Sequence, residues 1–135
     1  MNVVTLIVDD DTLTQLIHRK ALERAGIASS PETFADGEKA LNFLLDHYSE
    51  ENNYLVFLDL NMPVMDGWTF LDEMGRNFQG TNIHVVIVTS SVSAEDRARA
   101  NGYNQVLKYL VKPISLDSLK LMNQFVTLNQ EHPLE

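Results

Sequence analysis

Four apolar stretches of this 135-residue chain each run into side chains suited to metal or phosphate chemistry. Val3–Val8 is followed by Asp9-Asp10-Asp11, and Tyr54–Leu58 by Asp59 and then Leu60-Asn61-Met62-Pro63. Ile83–Val88 leads to Thr89-Ser90-Ser91, and Val106–Val111 to Lys112-Pro113. Three carboxylates meeting at one rim would repel one another and retain protons unless a cation neutralised them. A hard divalent ion with oxygen ligands resolves this, and Mg2+ suits the donor set. Asp10, Asp59 and the backbone carbonyl of Asn61 would supply ligands, with Asp9 holding a coordinated water. A carboxylate such as Asp59 can also attack phosphorus and become an aspartyl phosphate. The metal and Lys112 would then balance charge on the transferring oxygens, and the Thr89 hydroxyl would donate a hydrogen bond to one of them.

Each residue has an ordinary alternative when taken alone. An Asp after a strand is commonly a helix N-cap or turn residue, and Asp11 is the best cap candidate of the three. Lys112-Pro113 alone reads as a turn, and Asp66-Gly67 as a turn and helix start. The joint pattern favours chemistry: separate strand ends each carry a residue type that one reaction needs.

The elements must make those ends converge. The four apolar runs are short, nearly continuous and rich in β-branched and aromatic residues, the mark of strands buried on both faces of a parallel sheet. A weaker strand is expected near Glu32-Thr33-Phe34. Helical spacing lies between them. Leu13, Leu16, Ile17 and Ala21 form an expected apolar face opposite Gln15, His18 and Arg19, with Gly26 as a C-terminal stop. Ala40, Leu41, Leu44 and Leu45 mark a second helix. Trp68, Leu71 and Met74 mark a third, capped by Asp66 and with Trp68 expected in the core. Ser93 with Asp96 resembles a capping box for a fourth. Leu116, Leu119, Met122 and Val126 mark a fifth, opening at Ser115. Five strand–helix alternations predict an α/β, flavodoxin-like doubly wound fold with a five-stranded parallel sheet in the order 2-1-3-4-5 and five helices. In that order, strands one, three, four and five place Asp9, Asp10, Asp59, Thr89 and Lys112 at one rim, where such sheets bind ligands. Asp46 to Asn53 reads as a polar surface loop.

Composition narrows the function classes. The net charge is −9 and the ten basic residues are scattered, which argues against a nucleic-acid backbone as partner. The absence of Cys excludes disulfides and thiolate metal sites. No apolar run approaches the roughly 18 residues of a membrane span, so no membrane insertion is expected. The N-terminus lacks the basic region of a signal peptide, and a cytoplasmic location is expected. The length fits one domain over 1–135, with a core about 3–128 and no output domain. His18, His47, His84 and His132 show no metal-ligand spacing. A phosphatase of the haloacid dehalogenase type would need a second Asp where Asn61 stands. A nucleotide-binding loop would need glycines where Asp9-Asp10-Asp11 stands.

Val8-Asp9-Asp10, Leu58-Asp59-Leu60-Asn61-Met62-Pro63 with Met65-Asp66-Gly67, Val88-Thr89-Ser90 and Tyr109-Leu110-Val111-Lys112-Pro113-Ile114 together resemble the signature blocks of two-component response regulator receiver domains. The resemblance spans essentially the whole chain and is closest to stand-alone, chemotaxis-type regulators. It implies that Asp59 is the phosphoacceptor, that Asp9 and Asp10 hold Mg2+, and that the Asn61 carbonyl coordinates it. It implies that Thr89, with Ser90 and Lys112, contacts the phosphoryl group. Thr89 and Tyr109 would be the switch pair, and the bond before Pro113 would be cis. The donor would be a phosphohistidine on a histidine kinase or histidine phosphotransfer protein. The domain would catalyse only its own phosphorylation and dephosphorylation, and would signal through its helix4–strand5–helix5 surface to an unidentified protein. Leu121, Phe125 and Leu128 either complete the core or form an apolar patch for a partner or a weak homodimer. Two features depart from the family. Gly102 lies seven positions before Tyr109, a longer spacing than usual, so the connection from helix four to strand five is expected to be extended. The Asp46–Asn53 loop is the other.

Overall fold

The computed structural model describes residues 2–80, 82–115 and 117–120. Strands β1 (Val3–Val8), β2 (Glu32–Phe34), β3 (Asn53–Leu58), β4 (Ile83–Thr89) and β5 (Val106–Val111) pair in parallel, in the order β2-β1-β3-β4-β5. Between them lie α1 (Thr12–Arg24), α2 (Gly37–His47), α3 (Gly67–Asn77) and α4 (Ala94–Ala100). A helical turn follows β5 at 117–120. Leu116, Leu121, Met122, Phe125, Val126, Leu128 and His132 lie outside the described residues.

Strand alternation explains the two cores. Leu6, Val8, Val56, Leu58, Val85 and Ile87 point to one face and pack with Ala40, Leu41 and Leu44 of α2 and Phe70, Leu71 and Met74 of α3. Ile7, Leu55, Phe57, Val86 and Val88 point to the other, with Leu22 of α1 and Leu119. Because successive side chains point to opposite faces, a sheet covered on both sides must be apolar at every position. Gly26 adopts φ 75° directly after α1, where the Ile27 N–H bonds back to the Leu22 carbonyl, a left-handed stop that suits glycine.

The structure corrects the expected face of α1. Leu13, Leu16 and Ile17 are 64%, 48% and 53% exposed, while His18 and Leu22 are buried. Both stripes carry apolar residues, so spacing alone does not choose between them. Hydrogen bonds do: the Gln15 side-chain amide donates to the carbonyls of Asp9 (2.7 Å) and Phe34 (3.4 Å), turning Gln15, His18 and Leu22 inward. The loop after α2 is also shorter than expected, because the helix runs to His47 and β3 begins at Asn53. Its residues are tied down. The buried Tyr54 hydroxyl accepts from the Ser49 N–H (2.8 Å) and donates to the His47 carbonyl (3.3 Å), and the Tyr48 hydroxyl bonds Asn82 (2.6 Å). Trp68 is only half-buried. Its indole packs against the edge of the core on the α3 face, stacks on Tyr103 and lies under the Arg99 guanidinium.

The extended connection into β5 is absorbed in two ways. Asn101 and Gly102 close α4, and Tyr103 turns back over α3. The β4–β5 register then jumps from Val85↔Val106 to Val86↔Lys108, leaving Leu107 as the extra residue of a bulge.

Candidate functional site

β1 and β3 are adjacent and end level, Val8 opposite Leu58, so the residues after them emerge side by side. The Asp59 N–H bonds to the Val8 carbonyl (2.9 Å) and the Asp9 N–H to the Phe34 carbonyl (3.0 Å), which fixes both backbones. Asp9 and Asp59 are buried and Asp10 is exposed, yet each offers a carboxylate oxygen, and these atoms lie within 4.8 Å of one another. β5 brings Lys112 across from the far side of β4, its N–H bonded to the Thr89 carbonyl (2.8 Å). The Lys112 Nζ donates to Asp9 Oδ2 at 2.7 Å and to Asp59 Oδ2 at 3.2 Å. The Lys112–Pro113 peptide is cis.

The other sequence-selected residues fall around this centre. Thr89 is fully buried at the end of β4, and its Oγ1 accepts from the Ser91 N–H (3.3 Å). Ser90 beside it is exposed. Asn61 is exposed, and its N–H is directed to Asp59 Oδ1 (3.4 Å). Asp66 caps α3 by accepting from the Thr69 N–H (2.8 Å). Gly67 sits against the end of β3, its N–H on the Leu60 carbonyl (3.0 Å). A Cβ there would lie 2.6 Å from the Asp59 carbonyl oxygen, so this approach requires glycine. Tyr109 is not at the carboxylates. Its hydroxyl donates to the Ser91 carbonyl (3.0 Å), and Arg97 lies 4.7 Å over its ring.

Three carboxylates face one ammonium. Burial pushes the Asp59 pKa up, the Lys112 charge and hydrogen bond oppose this, and the Asp9 charge adds to it; the balance is upward. For Lys112, burial favours the neutral amine, but the Asp9 hydrogen bond and the charges of Asp59 and Asp9 outweigh it and raise its pKa. The cluster therefore keeps a cationic Lys112 and still carries excess negative charge. Its donors are all hard oxygens, with neither thiolate nor imidazole among them, and Asp10 leaves one side open to solvent. That set fits a small divalent cation.

Two residues near the centre, His18 and Gln15, escaped the sequence reading. His18 is buried, and burial lowers its pKa; the Asp9 charge opposes this and the Lys112 charge adds to it. Gln15 holds the Asp9 carbonyl. Ser91 links Thr89, Tyr109 and α4. His18 and Gln15 were hidden by the α1 face assignment, whereas Ser91 belongs to the Thr89-Ser90-Ser91 end that the sequence already singles out.

The sequence pattern of the response regulator receiver domain matches residues 5–124. The chain belongs to that family. This receiver domain is 34% identical over 119 residues to the probable methanogenesis regulatory protein FilR2 of Methanothrix harundinacea, covering 87% of this chain and 76% of that protein. It is 31% identical over 117 residues to the probable chemotaxis protein CheY of Rhizobium etli, covering 85% of this chain and 84% of that one. A two-component response regulator from Cytophaga hutchinsonii superposes with a TM-score of 0.84 over 93% of this chain and 97% of its own, at 23% identity, which speaks to the fold. The receiver domain thus belongs with two-component signalling regulators rather than metabolic enzymes. Among its described residues no helix is long and apolar enough to cross a membrane.

Proposed function

We propose that Asp59 accepts a phosphoryl group from a phosphohistidine of a histidine kinase or histidine phosphotransfer protein, in a Mg2+-dependent reaction that the domain itself catalyses. The observation that carries this reading is the Lys112 ammonium bridging Asp9 and Asp59 beside a third carboxylate, Asp10. An Asp59 carboxylate oxygen attacks phosphorus, the P–N bond to the donor imidazole breaks, and the imidazole keeps the electron pair. Lys112 turns from Asp59 to a phosphoryl oxygen while remaining paired with Asp9, and the Thr89 hydroxyl donates to another. Ser90 lies next to Thr89 as a further contact. Mg2+, held by Asp9, Asp10, Asp59 and the Asn61 carbonyl, would neutralise the carboxylates and draw charge from the transferring oxygens.

The donor must cover the rim to reach Asp59. α1 starts there, and its outward Leu13, Leu16 and Ile17 form an apolar strip suited to a helical partner. Exposed Val64 and Val92 stand on the β3–α3 and β4–α4 loops of the same rim. The phosphorylated state would be read by a partner protein on α4, β5 and the helix after it, through Thr89 and Tyr109. A net charge of −9 favours a protein over nucleic acid as that partner. The same reading takes residues 1–135 as one receiver unit working in the cytoplasm.

Incubation with acetyl phosphate and Mg2+ tests the proposal. The wild-type mass should rise by one phosphoryl group, with no rise in Asp59→Asn or in the presence of EDTA. An unmodified wild type, or a modified Asp59→Asn, would overturn it.

A further inference from the structure

The first N–H groups of a helix have no acceptor within it, so they must bond elsewhere. In α2 the Asp36 carboxylate takes one of them, accepting from the Lys39 N–H at 2.9 Å. The N–H of Gly37, the first residue of the helix, leaves the helix and donates to the Met65 carbonyl at 3.2 Å. Met65 belongs to the β3–α3 loop, which also carries Asn61. Gly37 is buried, and a Cβ on it would lie 2.9 Å from the Met65 carbonyl oxygen and 3.1 Å from both Met65 Cγ and Phe70 Cβ. Only a residue without a side chain lets this loop come so close to α2.

The contact joins two segments that flank the carboxylate centre. On one side, the connection from β2 into α2 begins at Phe34, whose carbonyl accepts from the Asp9 N–H at 3.0 Å and from the Gln15 side chain at 3.4 Å. On the other side, the β3–α3 loop is closed at its base by the Gly67 N–H on the Leu60 carbonyl (3.0 Å) and at its tip by the Met65 N–H on the Pro63 carbonyl (2.8 Å). That tight turn holds Val64 at φ 68°, a left-handed backbone that a β-branched residue keeps only under constraint. Val64 is exposed and has little packing of its own to impose it. The constraint arrives through its neighbour Met65, which α2 holds.

We propose that Gly37 is a positioning residue for the divalent cation: by admitting the Met65 carbonyl to the first turn of α2, it sets the spacing between the segment that holds Asp9 and the loop that carries the Asn61 carbonyl. This inference rests on the reading of Asp9, Asp10, Asp59 and Asn61 as a Mg2+ site. Gly37 supplies no ligand itself. A methyl group there must move the loop off α2 by about 0.5 Å, the difference between 2.9 Å and ordinary contact at 3.4 Å. A Mg2+ site demands near-octahedral placement of its ligands, so it tolerates such a shift poorly. Coupling is reciprocal, so bound Mg2+ must in turn secure the Gly37–Met65 bond.

Calorimetric titration of the intact chain with magnesium chloride alone tests this, beside urea denaturation and amide hydrogen exchange with and without saturating Mg2+. Gly37→Ala should weaken Mg2+ binding about tenfold. Leu45→Gly, on the exposed side of the same helix, should lower the urea midpoint and keep the wild-type affinity, which separates positioning from a general loss of stability. Met65→Ala in the Gly37→Ala background removes the Met65 Cγ contact and leaves the carbonyl contact, so it should recover stability in part while Mg2+ binding stays weak. In the wild type, saturating Mg2+ should slow exchange of the Gly37 amide about tenfold. The Tyr48 and Phe78 amides, at the far ends of α2 and α3, should slow by less than about twofold. Exchange in the wild type decides alone if Gly37→Ala fails to fold. A wild type that binds no Mg2+ defeats the metal reading. Mg2+ binding by the wild type defeats the positioning role alone if Gly37→Ala matches its affinity, if Met65→Ala restores binding, or if Gly37 gains no more protection than Tyr48.

Discussion

Replacing Gly67 by alanine adds one methyl group at the tightest approach in the site. The new carbon would lie 2.6 Å from the Asp59 carbonyl oxygen and 2.8 Å from the Leu60 Cα, where ordinary contact begins at 3.4 Å. The start of α3 and the end of β3 must therefore part by about 0.8 Å, the difference between the closest of these distances and ordinary contact. Neither contacted atom can swing aside, because both belong to backbone held by the Asp59–Val8 and Gly67–Leu60 hydrogen bonds. Overpacking of this kind costs about 1–3 kcal/mol, partly offset by about 0.4–1 kcal/mol from the reduced freedom of the unfolded chain. The expected net loss is about 1–2 kcal/mol in urea denaturation. Displacing the Asp59 backbone should also slow phosphoryl uptake from acetyl phosphate by about tenfold or more. Gly75→Ala is the matched comparison in the same helix. Its Cβ would meet nothing closer than the Gln105 side-chain nitrogen at 3.8 Å, so it should stabilise by about 0.4–1 kcal/mol. Equal stability and equal uptake for Gly67→Ala and wild type would refute the argument that this glycine sets the position of Asp59.

Val64 holds a β-branched side chain at φ 68° while 76% exposed, so Val64→Asn should relieve left-handed strain without losing packing and raise stability by about 1 kcal/mol, seen as a higher Tm. Tyr54→Phe leaves the Ser49 N–H and the His47 carbonyl without their partner and should cost about 1–3 kcal/mol in urea denaturation; a neutral result would mean that water replaces the hydroxyl. Burial lowers the His84 pKa below its ordinary 6.5, so the unfolded chain binds the proton more readily than the folded one. Stability from this group is present above that pH and lost as the pH falls through the folded value; the drop in urea midpoint between neutral and mildly acidic pH should shrink in His84→Gln.

The sequence by itself determined the elements and the chemistry carried at their ends. Continuous apolar runs can persist only where both faces of a strand are covered, so β1, β3, β4 and β5 were legible as a parallel sheet. Asp9, Asp59 and Lys112 were legible because each directly follows such a run, and Asp10 because it adjoins Asp9. Tertiary structure decided what local pattern leaves degenerate. The two stripes of α1 are both partly apolar, and its rotation is fixed by tertiary contacts: Gln15 bonds the carbonyls of Asp9, just after β1, and Phe34 of β2, and Leu22 packs in the core, which exposes Leu13, Leu16 and Ile17 and buries His18. The extra length before β5 could have formed a loop. A bulge at Leu107 and the stacking of Tyr103 on Trp68 instead turned it into an attachment between α4 and α3. Side-chain period and composition are properties of neighbours along the chain, whereas helix rotation, bulge placement and the role of Ser91 depend on partners far away in sequence, which only the folded register brings within bonding distance.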